Sequence, residues 1–301
     1  MWQHGGVPTA PANGIELAYE TFGDPHDPTL LLVMGLGAQL TAWDEVFCAL
    51  LVDRGHHVVR FDNRDVGLST WIDTPDLDIG GAVMAAIGGD ATVAPYLLSD
   101  MAADAVGLLD HLDVHQADVV GASMGGMIAQ TMAIEHPDRV RTLTSIMSTT
   151  GEPTVGTTAP ELLGTLMAAR PTGREESIAF SVEISRAISC PDHFDEARTR
   201  TRAAADFDRA LNPLAVPRQL LAIVCSGSRA DALARLDVPA LVIHGRQDRL
   251  VDFSGGQRTA ELVPGAEFVA IDDMAHDLPV AHWPRLADAI TAVAGRASVT
   301  S

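Results

Sequence analysis

One serine, Ser123, stands where a hydroxyl can be made into a nucleophile. It is the centre of Gly121-Ala122-Ser123-Met124-Gly125, a Gly-x-Ser-x-Gly pentapeptide. Residues 117–120 before it are a short Val-containing run that reads as a strand. After it, Met127, Ile128, Met132 and Ala133 recur at helical spacing. Gly-x-Ser-x-Gly arises by chance in Gly- and Ala-rich chains, but placement between a strand and a helix is the context of a nucleophile elbow. Such a turn lifts the side chain clear of the backbone and strains its φ/ψ. Strand and helix then nearly collide, so the positions two before and two after must be small. Gly121 and Gly125 meet that need, with Ala122 and Gly126 beside them. The helix after Ser123 also aims free N–H groups and the positive end of its dipole at the reacting centre.

A nucleophilic serine needs a base, and the base needs an orienting acid. On an elbow of this kind the acid and then the histidine follow in chain order. His276, in Met274-Ala275-His276-Asp277, lies on a loop after the last expected strand. Its rivals fail on position. His282 begins a helix beside Trp283 and Pro284, His244 ends a buried strand, and His56 and His57 precede a strand. His111 and His115 have an i,i+4 spacing but no apolar-shielded carboxylate cluster beside them, and read as a solvated helix end. Asp248, in Gly245-Arg246-Gln247-Asp248, follows the preceding strand; Asp252 is the runner-up. Ser148-Thr149-Thr150 fills the alternative place for an acid without a carboxylate, and Asp272 and Asp273 are too near His276 in sequence to orient it. Two amides are placed to bind an oxyanion. One is that of Met124; the other is that of Leu36, in Val33-Met34-Gly35-Leu36-Gly37, where glycines permit close backbone approach.

The elements that must hold these residues alternate. Strands are expected at residues 15–22, 29–34, 57–62, 117–120, 142–147, 240–244 and 267–271. Helices are expected at 42–52, with Thr41 as N-cap, at 256–263 and at 283–294. Another begins near Ser99 and carries Met101, Ala105, Leu108, Leu109 and Leu112 on one face. Residues 71–98 form a long connection, read either as a lid or as a short packed helix. In Asp62-Asn63-Arg64-Asp65-Val66-Gly67-Leu68-Ser69, a buried Arg64 is expected to tie the loop beneath the site. Gly35-Leu36-Gly37 is no dinucleotide fingerprint, because Leu40 stands where the third glycine belongs. Residues 150–236 show helical patterns broken by Pro171, Pro191, Pro213 and Pro217, and no strand. The pattern predicts an α/β fold: a mostly parallel central sheet with helices on both faces. Residues 1–149 and 237–301 form the core, and 150–236 an inserted helical cap over the carboxyl ends of the strands.

Charge supports that division. The 301 residues carry a formal net charge of -20, and all 20 basic residues are arginine. Residues 150–236 hold 11 acidic and 10 basic residues, a net of -1, so -19 falls on the remainder. Arg198, Arg200, Arg202 and Arg209 cluster in the cap and are expected to pair with Asp195, Glu196, Asp206 and Asp208. The absence of lysine excludes a Schiff base and a Walker A loop. The acidity argues against nucleic acid as a partner. No apolar run approaches a membrane span, the first twelve residues do not read as a signal peptide, and three scattered cysteines suit a reducing cytoplasm.

The motifs together resemble the α/β-hydrolase fold superfamily, in particular its branch of aclacinomycin-methylesterase-like esterases and bacterial lipase/esterases. The matching blocks are Val33-Met34-Gly35, Asp62 to Ser69, Gly121 to Gly125, Gly245 to Asp248 and Met274 to His276. Many members have His-Gly where Met34-Gly35 stands; the aclacinomycin-type esterases share Met-Gly. The resemblance implies a Ser123–His276–Asp248 hydrolase of small to medium apolar carboxylic esters, without metal or cofactor. Thioesters, lactones, amides or C–C bonds, perhydrolysis, and ligand binding without turnover are the alternatives. Haloalkane dehalogenases and epoxide hydrolases are disfavoured, since their nucleophile is an aspartate. Gly35, Met84, Ile87, Met147 and Leu250 are expected to line the substrate pocket.

Overall fold

The computed structural model describes residues 6–74 and 78–298, without the side chains of residues 79, 87, 165–167, 297 and 298. Among them one sheet is formed by β1 (Thr9–Ala12), β2 (Ile15–Phe22), β3 (Thr29–Val33), β4 (His57–Phe61), β5 (Ala117–Ala122), β6 (Val140–Ile146), β7 (Ala240–Gly245) and β8 (Glu267–Ile271). The spatial order is β1-β2-β4-β3-β5-β6-β7-β8. The β1–β2 and β2–β4 pairs are antiparallel; every other pair is parallel.

The central strands β3, β5 and β7 are buried at every residue. Helices cover both faces, so these strands read as continuous apolar runs and not as alternating ones. The period of two still sorts their side chains. Leu31, Val33 and Val119 join one core with helices Leu98–His111 and Met124–Glu135. Leu30, Leu32 and Val120 join the other with helices Glu45–Val52 and Trp283–Ala294, where Trp43 stacks on Phe47 and Phe47 meets Trp283 edge to face. A leucine so enclosed is worth about 2–5 kcal/mol against alanine.

Several sequence expectations shift. β1 is unexpected. It is four residues long, contains Pro11, and turns into β2 at Asn13-Gly14, whose φ values of 48° and 80° mark a hairpin turn. The first helix starts at Glu45, three residues later than expected, because the Asp44 carboxylate accepts from Val46 N–H at 2.9 Å. Thr41, the expected cap, donates its hydroxyl to Asp206 at 2.6 Å. Asp100 accepts from Leu97 N–H at the start of helix Leu98–His111, and Ser99 turns away to Glu135. Within the 71–98 connection the packed helix prevails: Ile79–Ile87 sets Ala82 and Ala86 against Leu221.

Between β6 and β7 lie helices Pro160–Met167, Arg174–Ile188, Glu196–Arg209, Ala215–Ser226 and Ala230–Leu233. The expected arginine pairings within this segment do not form. Arg198 meets Asp44 at 2.5 Å and stacks on Trp283, while Arg209 meets buried Asp62 at 2.7 Å. Asp208 pairs with Arg174 and Glu196 with Arg186. Arg218 grips Asp65 through two hydrogen bonds of 2.9 and 2.7 Å, both groups being buried. The arginines thus join this segment to the loops after β3 and β4.

Candidate active site

Ser123 forms the turn between β5 and helix Met124–Glu135, with φ 57° and ψ −122°. A non-glycine residue there is strained, and the surroundings fix it. Ser123 N–H donates to Ile146 O at 2.9 Å, and the Ser148 hydroxyl donates to Ser123 O at 2.8 Å. The neighbouring glycines are required by space. A Cβ on Gly121 would lie 2.1 Å from Gly125 O, and one on Gly125 would lie 2.1 Å from Val33 O.

His276 reaches this serine from the loop after β8. Its Nε2 is 2.9 Å from Ser123 Oγ and its Nδ1 is 2.7 Å from Asp248 Oδ2. An ionised carboxylate only accepts, so Nδ1 carries the proton and Nε2 is free to accept from the serine hydroxyl. Burial pushes the Asp248 carboxyl up, but the charge and hydrogen bond of His276, with His244 close by, outweigh it and hold Asp248 at about 2. Its other oxygen accepts from Leu250 and Val251 N–H, both at 2.9 Å. His244 is wholly buried and gives its Nε2 proton to Val251 O at 2.9 Å; Asp248 is a more distant neighbour at 3.4 Å. Asp252 is elsewhere: it accepts from Ser254 N–H at 2.8 Å and from the Thr157 hydroxyl at 2.6 Å.

The Leu36 and Met124 amides have no protein acceptor among the described residues. Both belong to backbone that lines or borders Ser123, and unpaired N–H groups beside a nucleophile are what an oxyanion needs. The Leu36 loop is held from both sides. Asn63 donates to Met34 O at 2.8 Å, and buried Gln219 accepts from Gly37 N–H at 2.8 Å while donating to Arg64 O at 2.9 Å. Arg64 itself faces away, paired with Asp104 at 2.7 and 2.6 Å, so it ties the loop as expected.

A cavity of about 290 Å³ opens over Ser123 and His276. Gly35, Met147 and Leu250, named from the sequence as lining, border it, and so does Leu36. Met84 does not: it is 69% exposed on the outer side of helix Ile79–Ile87. The Ile87 side chain lies outside the described residues. Sequence reasoning missed the aromatic wall of Trp43, Phe47 and Trp283, and the cations Arg170, Arg198 and Arg202. Trp43 and Trp283 carried a signal, since each opens an expected helix, and Phe47 lies about one turn after Trp43. Arg170 carried none, because nothing in the sequence told which face of the inserted segment turns inward.

Comparison with known proteins agrees with this architecture. A family model described as the alpha/beta hydrolase fold matches residues 28–281. The chain is 31% identical to rhodomycin D methylesterase DauP of Streptomyces sp. (strain C5), over 95% of this chain and 97% of that one. It is 27% identical to 3-oxoadipate enol-lactonase 2 of Acinetobacter baylyi, over 84% of each. The solved enol-lactonase of Burkholderia xenovorans LB400 superposes with a TM-score of 0.73 at 22% identity, covering 96% of this chain and all of that one. A parallel sheet in this strand order, a strained serine on the turn after β5 and a match spanning most of the sequence lead to one conclusion: the chain belongs to the α/β-hydrolase fold family.

Proposed function

We propose that the protein is a serine hydrolase that cleaves carboxylic esters of small to medium apolar substrates. The observation that carries this reading is the relay of contacts from Ser123 Oγ to His276 Nε2 at 2.9 Å and from Nδ1 to Asp248 at 2.7 Å. Ser123 attacks the ester carbonyl as His276 takes its proton, and Asp248 stabilises the imidazolium. The Leu36 and Met124 amides receive the negative oxygen. The tetrahedral intermediate collapses, the alcohol departs with the proton from His276, and water then repeats the sequence on the acyl-enzyme.

The walls supplied by Met34, Trp43, Phe47, Met147, Leu250 and Trp283 favour an uncharged acyl group. The methylesterase likeness, covering nearly all of both chains, favours a small alcohol as the leaving group. Residues 150–236 serve as the cap, and 1–149 with 237–301 as the catalytic core. The test is Ser123→Ala. It is expected to lose hydrolysis of p-nitrophenyl butyrate by several orders of magnitude, together with labelling by an organophosphonate, while staying folded. Near wild-type turnover in that variant would remove Ser123 from the mechanism.

A further inference from the structure

Beside the cavity, and outside the machinery above, three side chains converge from separate parts of the chain. His193 ends the turn Pro191–His193 in the inserted segment. Asp273 follows β8, and His282 ends the turn Val280–His282. His193 Nε2 lies 2.8 Å from Asp273 Oδ2, and His282 Nε2 lies 3.0 Å from Asp273 Oδ1. The two imidazoles meet edge to face with centroids 5.1 Å apart. The three ligand atoms all fall within 4.8 Å of one another, and this is the only such group among the described residues. We propose that His193, Asp273 and His282 bind a divalent transition-metal ion of the zinc class.

Three properties of the cluster favour an ion over a carboxylate merely shared by two imidazoles. The first is chemical: two neutral imidazoles and one carboxylate are a ligand set that Zn²⁺ accepts, with water in a fourth position. The second is spacing. A tetrahedral ion with bonds of about 2.0–2.1 Å sets its ligand atoms about 3.3 Å apart, so small side-chain rotations suffice. The third is an unsatisfied atom. His282 Nε2 is buried and, despite its distance to Asp273, makes no hydrogen bond of acceptable geometry. A buried imidazole nitrogen without a partner is costly, and coordination would satisfy it. Asp273 is half-exposed, which leaves an ion a path from solvent.

The site joins two separate parts of the chain. His193 lines the cavity, and Asp273 lies on the loop that carries His276. A bound ion therefore fastens the inserted segment to the core at the cavity rim.

The test is calorimetric titration of Zn²⁺ into chelator-stripped protein, with thermal melting in parallel. One Zn²⁺ per chain is expected, and a melting temperature that rises with Zn²⁺ concentration. Asp273→Asn and His282→Ala should each weaken binding by at least about tenfold, the lower range seen when even a residue behind a ligand is changed. Asp273→Asn changes a half-exposed position and keeps the fold, which circular dichroism checks. His276→Ala should bind as wild type does, which separates this site from the proposed triad. Absence of saturable binding would overturn the proposal. So would binding unaltered in both Asp273→Asn and His282→Ala, or binding lost in His276→Ala.

Discussion

Asp248 and Asp252 lie one helical turn apart in sequence, yet their carboxylates face different work. Asp248 is buried and bonded to His276, and its charge is secured at about 2, so it stays ionised throughout any working pH. Because its folded value lies below the ordinary carboxylate value, its stabilising contribution is present above that ordinary value and lost only as pH falls through about 2. Asp252 organises the turn that receives Thr157 and Ser254. Asp248→Asn should lower turnover by up to about 10⁴, since an uncharged partner lets the imidazole adopt the wrong tautomer. Asp252→Asn should change turnover far less. Steady-state kcat for the two variants decides, and the reverse order would transfer the orienting role to Asp252. At this scale the sequence was informative where a loop follows a strand: Ser123, Asp248 and His276, from three such loops, come within hydrogen-bonding reach of one another. It was uninformative where only hydrophobicity argued: Met84 is apolar and yet faces solvent. It misled on Arg198 and Arg209, expected to pair with nearby carboxylates, whose partners lie more than 140 residues away.

Helix Ala215–Ser226 shows how an element can matter without holding a reacting group. It presents Arg218 to Asp65 and Gln219 to both Gly37 N–H and Arg64 O. Gln219 is thereby a positioning residue for the loop that carries the Leu36 amide. Gln219→Ala leaves the Gly37 N–H and the buried Arg64 carbonyl without this partner and frees that loop; a displacement of about 1 Å can cost up to about 10²-fold in rate. The expected result is a fall in kcat of about tenfold or more, with KM changing less. A variant that is less stable but retains wild-type kcat would reduce Gln219 to a structural role. Strands β3, β5 and β7 were legible because burial on both faces leaves unbroken apolar runs between turn residues. Segment 150–236 was legible as helical but not in its contacts. Its helices are amphipathic, and periodicity fixes which side chains share a face without fixing what that face meets.

Over the whole molecule the charge is lopsided: -19 outside residues 150–236 and -1 within. The cavity nevertheless has arginines in its wall, contrary to the expectation that they are spent within the segment. Arg198 is already met by Asp44, and Arg202 has Asp206 nearby, which leaves Arg170 without a carboxylate among the described residues. One free cation does not offset the surrounding field at low salt, where charges act over about 30 Å, against about 8 Å at physiological ionic strength. A polyanionic substrate such as an acyl-CoA should therefore show kcat/KM rising with salt, while a neutral ester of the same chain length stays level. A fall with added salt for the CoA substrate would show that the arginines govern approach. The hydrogen bonds between segment and core carry a further consequence. His276 N–H donates to Ile188 O at 2.9 Å, and Gly37 N–H to Gln219 at 2.8 Å, so the base loop and the oxyanion loop both lean on the segment above them. On the proposed mechanism, an excursion that uncovered the cavity by lifting that segment would also disarm the chemistry and confine reactivity to the closed population. Opening then has a free energy of its own, read by amide hydrogen exchange. Phosphonylation of Ser123 should slow exchange in helices Arg174–Ile188 and Ala215–Ser226 together; slowing in only one of them would mean that the two loops are released independently.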